Sequence, residues 1–330
     1  MRYAAVAATV VVCLIAGAAI QAAAWAQDDE AAQHIETILR GLENRAQRVR
    51  SLSAYVTEET YHNPMADAEW AGWRSLWQYF WAHTPTHIRH DTCEVVARGQ
   101  EVTPRVAQTS TYDGQRAVGM AVGSFTARVS ETLTPEGRQG YGLMPGWLGV
   151  SVPVIDFKPH AELRQMGPDL QLEPDATIRD TLCKVLRWQG DERTLRWWIA
   201  PDLGFLTLKK ETLVDKPARP LVTRWVWAVE EMTQCEPGLW MPLRIRELGM
   251  THPKGETAWS WGRAKMIQVT GLQVNKDLPA HLFGLVLPLG TRVYRPDQDT
   301  PVSIIGGDIQ AVIERTVEGR APSGLLEIPD

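Results

Sequence analysis

Leu195-Arg-Trp-Trp-Ile-Ala-Pro-Asp-Leu-Gly-Phe-Leu-Thr-Leu-Lys-Lys-Glu211 decides the fold class. Two strand-like runs flank Pro201-Asp-Leu-Gly204. Proline presets φ for a turn, aspartate can close it through its own backbone, and glycine takes an angle that other residues avoid. The unit reads as a hairpin. Similar units recur on both sides, with strands expected at 52–62, 72–83, 87–92, 93–99, 107–112 and 116–122. After an interruption they resume at 181–189, 194–200, 205–214, 222–234, 239–248, 257–268 and 269–274. Asp113-Gly114 between two alternating runs is a strong hairpin signal. Prolines 159, 168, 174, 201, 217, 220 and 237 fall between the later strands, where they do least harm. The prediction is a mainly β (α+β) protein built as one long antiparallel meander.

The first residues address the compartment. Arg2 is followed by an almost wholly small or apolar run, then Ala24-Trp25-Ala26 and Gln27-Asp-Asp-Glu30. That is the layout of a secretory signal peptide over residues 1–26, which predicts a periplasmic protein. The formal charge of −5 argues against a nucleic-acid partner, which needs a basic face. Cys93, Cys183 and Cys235 remain beyond the leader. One disulfide among them is possible, but no C-x-x-C occurs, and small buried hydrophobes are the plainer reading.

Residues 29–50 predict a helix. Ile35, Ile38, Leu39, Leu42, Ala46 and Val49 form one stripe, with Asp28 or Asp29 as N-cap. Arg40, Glu43, Arg45 and Arg48 are assigned to the polar face. The stripe must be buried, and the following sheet is the obvious partner. Residues 135–174 break the strand pattern and read as short helices and loops that could cover a cavity. Ile309, Val312, Ile313 and Val317 suggest a short helix in a tail after residue 296.

Tryptophan is the leading binding candidate, with 14 in the chain. Alternation places Trp73, Trp77, Tyr79 and Trp81 on one face of their strand and Leu76 and Phe80 on the other. With Trp197, Trp225 and Trp227, the tryptophans Trp73, Trp77 and Trp81 are expected to wall a cavity. Indole offers a wide apolar face and one N–H donor, which suits lipid or sugar. His83, His87, His90 and Asp91 form the one metal-like cluster, but their split faces make a tetrahedral site awkward, and a polar strand at a rim is the better reading. Glu58-Glu59 and Glu230-Glu231 are adjacent in strands, so each pair points to opposite sides, which does not suit a two-carboxylate hydrolase. No nucleophile elbow, zinc-binding helix or phosphate loop occurs. No metal or other cofactor is expected, and the chain reads as a binder rather than an enzyme.

Several short patterns, in order, resemble the LolA/LolB-like superfamily of periplasmic lipoprotein-handling proteins. They are the helix leading into Leu52-Ser-Ala-Tyr-Val-Thr, Pro85-Thr-His-Ile-Arg89, Tyr112-Asp-Gly114, Trp198-Ile-Ala-Pro-Asp-Leu-Gly-Phe-Leu, and Leu278-Pro-Ala-His-Leu-Phe283 followed by Leu287-Pro-Leu-Gly-Thr-Arg-Val293. The resemblance spans residues 31–296. It implies a half-open antiparallel β-barrel over 27–296, with an N-terminal helix and short lid helices over the concave face. It implies a cavity for acyl chains or lipoproteins, with Arg89 tying the sheet to a lid near 142–154. Extra strands near 215–265 and the tail at 297–330 depart from the short carrier form. They leave room for a sorting or sensor protein with a membrane-anchored partner.

Overall fold

The computed structural model describes residues 30–62, 73–84, 86–98, 101–112, 117–121, 126–130, 159–283, 285, 287, 291–294 and 303–304. The expected signal peptide, the lid near 142–154, the Asp113-Gly114 turn and the helix near 309–317 lie outside them. Helix α1 covers residues 30–48. The first arm of strands is β1 (Leu52–His62), β2 (Trp73–His83), β3 (Ile88–Arg98), β4 (Glu101–Tyr112), β5 (Ala117–Ala121) and β6 (Thr126–Ser130). A short helix α2 (Pro159–Gln165) precedes the second arm. That arm is β7 (Leu170–Ile178), β8 (Thr181–Gln189), β9 (Arg193–Ala200), β10 (Leu206–Val214), β11 (Leu221–Glu236), β12 (Leu239–Pro253) and β13 (Ser260–Val274). The two short strands β14 (Arg292–Tyr294) and β15 (Ser303–Ile304) close the series.

All fifteen strands belong to one sheet, ordered β15-β14-β6-β5-β4-β3-β2-β1-β13-β12-β11-β10-β9-β8-β7. Each arm is a meander of adjacent hairpins, and the arms join where β1 pairs with β13, antiparallel. The exception to antiparallel pairing is β14 against β6. The sheet is not closed, because β7 and β15 each have a single neighbour. The architecture is therefore an open, barrel-like sheet with an N-terminal helix.

Several expectations are corrected. Residues 87–92 and 93–99 are one strand, because β3 pairs continuously with β2 from Trp73↔Arg98 to His83↔Ile88. A strand flanked on both sides keeps its backbone bonds through polar positions such as Thr92 and Glu94. Residues 257–268 and 269–274 are also one strand. The expected break near Val269 is a bulge, where pairing to β1 slips between Ser53 and Tyr55 and Gly271 takes φ 58°. The expected loop region 135–174 contains α2 but ends in β7, whose polar composition suits an edge strand. Strand β6 was not expected, and β15 carries part of the supposed tail into the sheet. The strands near 215–265 lie in the middle of the sheet, where β13 pairs with β1.

The helix stripe is buried as expected. Ile38, Leu39 and Leu42 join Leu163 of α2 and Leu186, Leu195, Trp197 and Ile199 of the sheet in one core. Val49 enters a second core with Leu52, Ala54, Val56, Trp81, Leu206, Val229, Ile245 and Ile267. Arg45 is a correction: it is not on the solvent face but 4 % exposed. It donates to the carbonyls of Gly204 and Trp240, while Arg48 donates to those of Gly238 (3.0 Å) and Pro237 (2.7 Å). Burial lowers the Arg45 pKa to about 10, yet the side chain stays charged at neutral pH. Two arginines thus fasten α1 to two turns of the second arm.

The Pro201–Leu203 turn forms as read. It is one turn of 3-10 helix, closed by Gly204 in the left-handed region (φ 64°, ψ 41°). Phe205 follows at φ 61°. Its ring lies against Gly41 of α1, where an added Cβ would stand 2.3 Å from it. Glycine at 41 is what lets helix and turn approach so closely.

Candidate functional site

Strand register sorts the candidate residues onto faces. One row of neighbours runs Leu186, Trp197, Lys210, Trp227, Glu247, Lys265, Thr60, Ser75 from β8 across to β2. A second row runs Val229, Ile245, Ile267, Glu58, Trp77, Glu94 from β11 to β3. A third holds Trp225, Gly249, Arg263 and His62. Alternation along β2 adds Tyr79 and Trp81. The face is the one that α1 covers at Leu186, Leu195 and Trp197. Trp77, Trp81, Trp197, Trp225 and Trp227 therefore share one face. Trp73 begins β2 opposite Arg98, and its side chain lies outside the described residues.

Burial divides this set. Trp81 and Trp197 are 1 % and 4 % exposed and belong to the packed cores. Trp77, Trp225 and Trp227 are half-buried. Along β1 the same face changes character from Leu52, Ala54 and Val56 to Glu58 and Thr60. The apolar end is filled by the protein's own side chains. The other end is ionic and aromatic.

At that end Lys265 Nζ meets Glu58 Oε1 at 2.6 Å, and Arg263 Nη2 meets Glu247 Oε1 at 3.2 Å. Arg263 also stacks over the Trp225 ring, 4.8 Å from its centroid. The ring lies across Gly249, where a Cβ would come within 2.3 Å of it, so the glycine makes room for a flat indole. Trp77, Tyr79 and Trp81 form a stack along β2, with centroid separations of 5.9 and 5.6 Å. Burial first, then the charges of Glu58 and Glu94, raise the Tyr79 pKa, so its phenol stays protonated. Trp227 Nε1 and Arg263 Nε are buried without a hydrogen-bond partner among the described residues. At the helix-covered margin, Lys210 lies 5.3 Å from the Trp197 ring centroid and 3.8 Å from Glu162 of α2.

Arg89 is elsewhere. On the opposite face it bonds Asp91 at 2.9 Å and the Leu282 carbonyl at 3.1 Å, with the Phe80 ring beneath it. It holds the Ala280–Phe283 turn to β3, an attachment strengthened by His87 against Phe283. The histidine cluster is not a rim: His83 and His90 are buried. No group of three or more His, Cys, Asp or Glu among the described residues could hold a metal ion. Cys93, Cys183 and Cys235 are free thiols. Burial pushes the Cys183 pKa to about 11, which leaves it unreactive. No helix among the described residues is long and apolar enough to cross a membrane.

The ion pairs Glu58–Lys265 and Glu247–Arg263 were not anticipated. The signal available was parity: Arg263 and Lys265 alternate with Gly262, Ala264 and Met266 on β13, but which strands adjoin was not readable.

No protein-family model matches the chain. No curated protein matches it either. Among solved structures it is similar to PNGF-II, at 8 % identity and a TM-score of 0.21, over 76 % of this chain and 32 % of that one. The chain thus spans about a third of PNGF-II. It is also similar to a β-barrel-like protein of the domain of unknown function DUF1849 from Brucella abortus, at 9 % identity and a TM-score of 0.21, over 69 % of this chain and 99 % of that one. At these scores neither likeness carries an argument about function.

Proposed function

We propose that this protein is a non-catalytic binder of the cell envelope that holds an acylated ligand, a lipid or lipoprotein, on the helix-covered face of a half-open β-barrel of the LolA/LolB-like kind. In this reading residues 1–26 are a signal peptide and the mature protein works in the periplasm. The observation that carries it is the set of half-buried indoles, Trp77, Trp225 and Trp227, on one face of an open sheet, beside the packed Trp81 and Trp197. Indoles left partly uncovered beside a core are surface that a ligand can bury. Each methylene laid against them contributes about 0.8 kcal/mol, so an acyl chain has ample driving force. The packed ends at Trp81 and Trp197 support the wall, and contact falls to the half-buried three.

Mass spectrometry of lipids extracted from the gently purified mature protein tests this. A stoichiometric acyl species is the expected result. A folded protein free of lipid would sink the reading and move attention to a membrane-anchored protein partner.

A further inference from the structure

We propose that the ionic–aromatic end of this face takes the polyhydroxylated head of the ligand, a neutral oligosaccharide, and so selects glycolipid or glycan-bearing amphiphiles over other acylated molecules. The inference rests on the reading that the face binds an amphiphile, and it adds what the head group is.

The charged strip between the Trp227 and Trp77 rings is unsuited to an acyl chain, which would lie on the indole faces instead. A hydrocarbon laid over Glu58–Lys265 and Glu247–Arg263 would strip the remaining water from these pairs, most of it from Arg263, Glu247 and Lys265, and return no hydrogen bond. It is equally unsuited to a simple anion. Lys265 and Arg263 each already face a carboxylate, and Glu94 lies in the same row, so the strip has no surplus of positive charge. What it offers is donors and acceptors interleaved, with flat apolar rings at both ends. A sugar has that complement: hydroxyls that donate to carboxylate oxygens and accept from ammonium and guanidinium groups, and C–H faces that lie on indole.

One further detail fits. The Trp225 ring, held flat across Gly249 beneath the Arg263 guanidinium, fixes that guanidinium in place. Trp227 and Trp77 are four strands apart, roughly 19 Å along the sheet, which is the reach of a chain of sugars rather than one ring.

The test compares n-dodecyl-β-maltoside with dodecylphosphocholine, each below its micelle threshold, by calorimetry on the full mature chain. The two share a dodecyl chain and differ in head group. The maltoside is expected to bind at least ten-fold more tightly. Glu247→Gln is expected to erase that margin without changing dodecylphosphocholine affinity. Trp227→Phe shortens the flat ring on which a sugar face would lie and should weaken the maltoside several-fold more than dodecylphosphocholine. Equal affinities for the two detergents would overturn the glycan assignment and leave the acyl reading standing. Binding of neither would overturn both.

Discussion

Replacing Gly204 by alanine puts the docking of two turns to a quantitative test. Gly204 sits at φ 64°, and a Cβ there would lie 2.0 Å from the carbonyl oxygen of Gly238. The left-handed angle alone costs a non-glycine residue about 1 kcal/mol. The overlap is with backbone, and that carbonyl is also held by Arg48 at 3.0 Å, so it cannot rotate aside freely. Separating the turns adds about 1–3 kcal/mol of the kind seen on overpacking. The expected loss is about 2–4 kcal/mol, or roughly 5–10 °C in Tm. Gly167 supplies the control. It has φ 58° and nothing within 4 Å of a Cβ, so Gly167→Ala carries the conformational cost without the clash. Both substitutions reduce unfolded-chain freedom equally, so their difference isolates the contact. Urea denaturation of the two variants measures it. If Gly204→Ala proves no more damaging than Gly167→Ala, the turns do not abut as described.

Arg45→Leu should cost about 2–3 kcal/mol in urea titration, because the Gly204 and Trp240 carbonyls lose a buried donor; exposed Arg48→Ala should cost under about 1 kcal/mol. His83 is 2 % exposed, and burial lowers its pKa from 6.5 to about 4. The unfolded chain therefore takes up this proton before the folded one does. Stability should decline as pH falls from about 6.5 to 4, by up to roughly 3 kcal/mol, and His83→Phe should flatten that slope in a pH series of melts. Lys265→Met strands a buried Glu58 and should cost about 3 kcal/mol, most of it recovered in the double variant with Glu58→Gln; no recovery would deny their coupling.

The local signals in the chain were faithful where the cause was local. The 201–205 turn follows from the angles its residues allow, and the α1 stripe follows from helical spacing. Alternation along β2 also put Trp77 and Trp81 on a common face. What it could not show is what covers that face. Trp77 and Trp81 have the same parity on one strand, yet Trp81 meets the core with Leu52 and Ile245 while Trp77 stays half-buried. Arg45 looked like a solvent residue because helical spacing takes no account of carbonyls at positions 204 and 240. Likewise, polar Thr92 and Glu94 in β3 mimicked a strand end, although neighbours on both sides hold the backbone there. The Glu58–Lys265 and Glu247–Arg263 pairs depend on β1, β13 and β12 lying side by side, a fact of topology that no single strand records.

The pairing of β1 with β13 has a consequence for how the chain is assembled. Some two hundred residues separate the partners, as do those separating α1 from the turns its arginines grip. Each arm can zip hairpin by hairpin as it is made, because its neighbours are consecutive. The seam cannot, since the edge of β1 has no mate until residue 274 exists, and closing so long a loop is slow. A chain cut short before β13 would therefore lose more than one strand: it would present the apolar run Leu52–Val56 on an open edge, ready to pair with another copy. Until β13 is made, its place beside β1 stays open, so the last third of the chain is what protects the first strand.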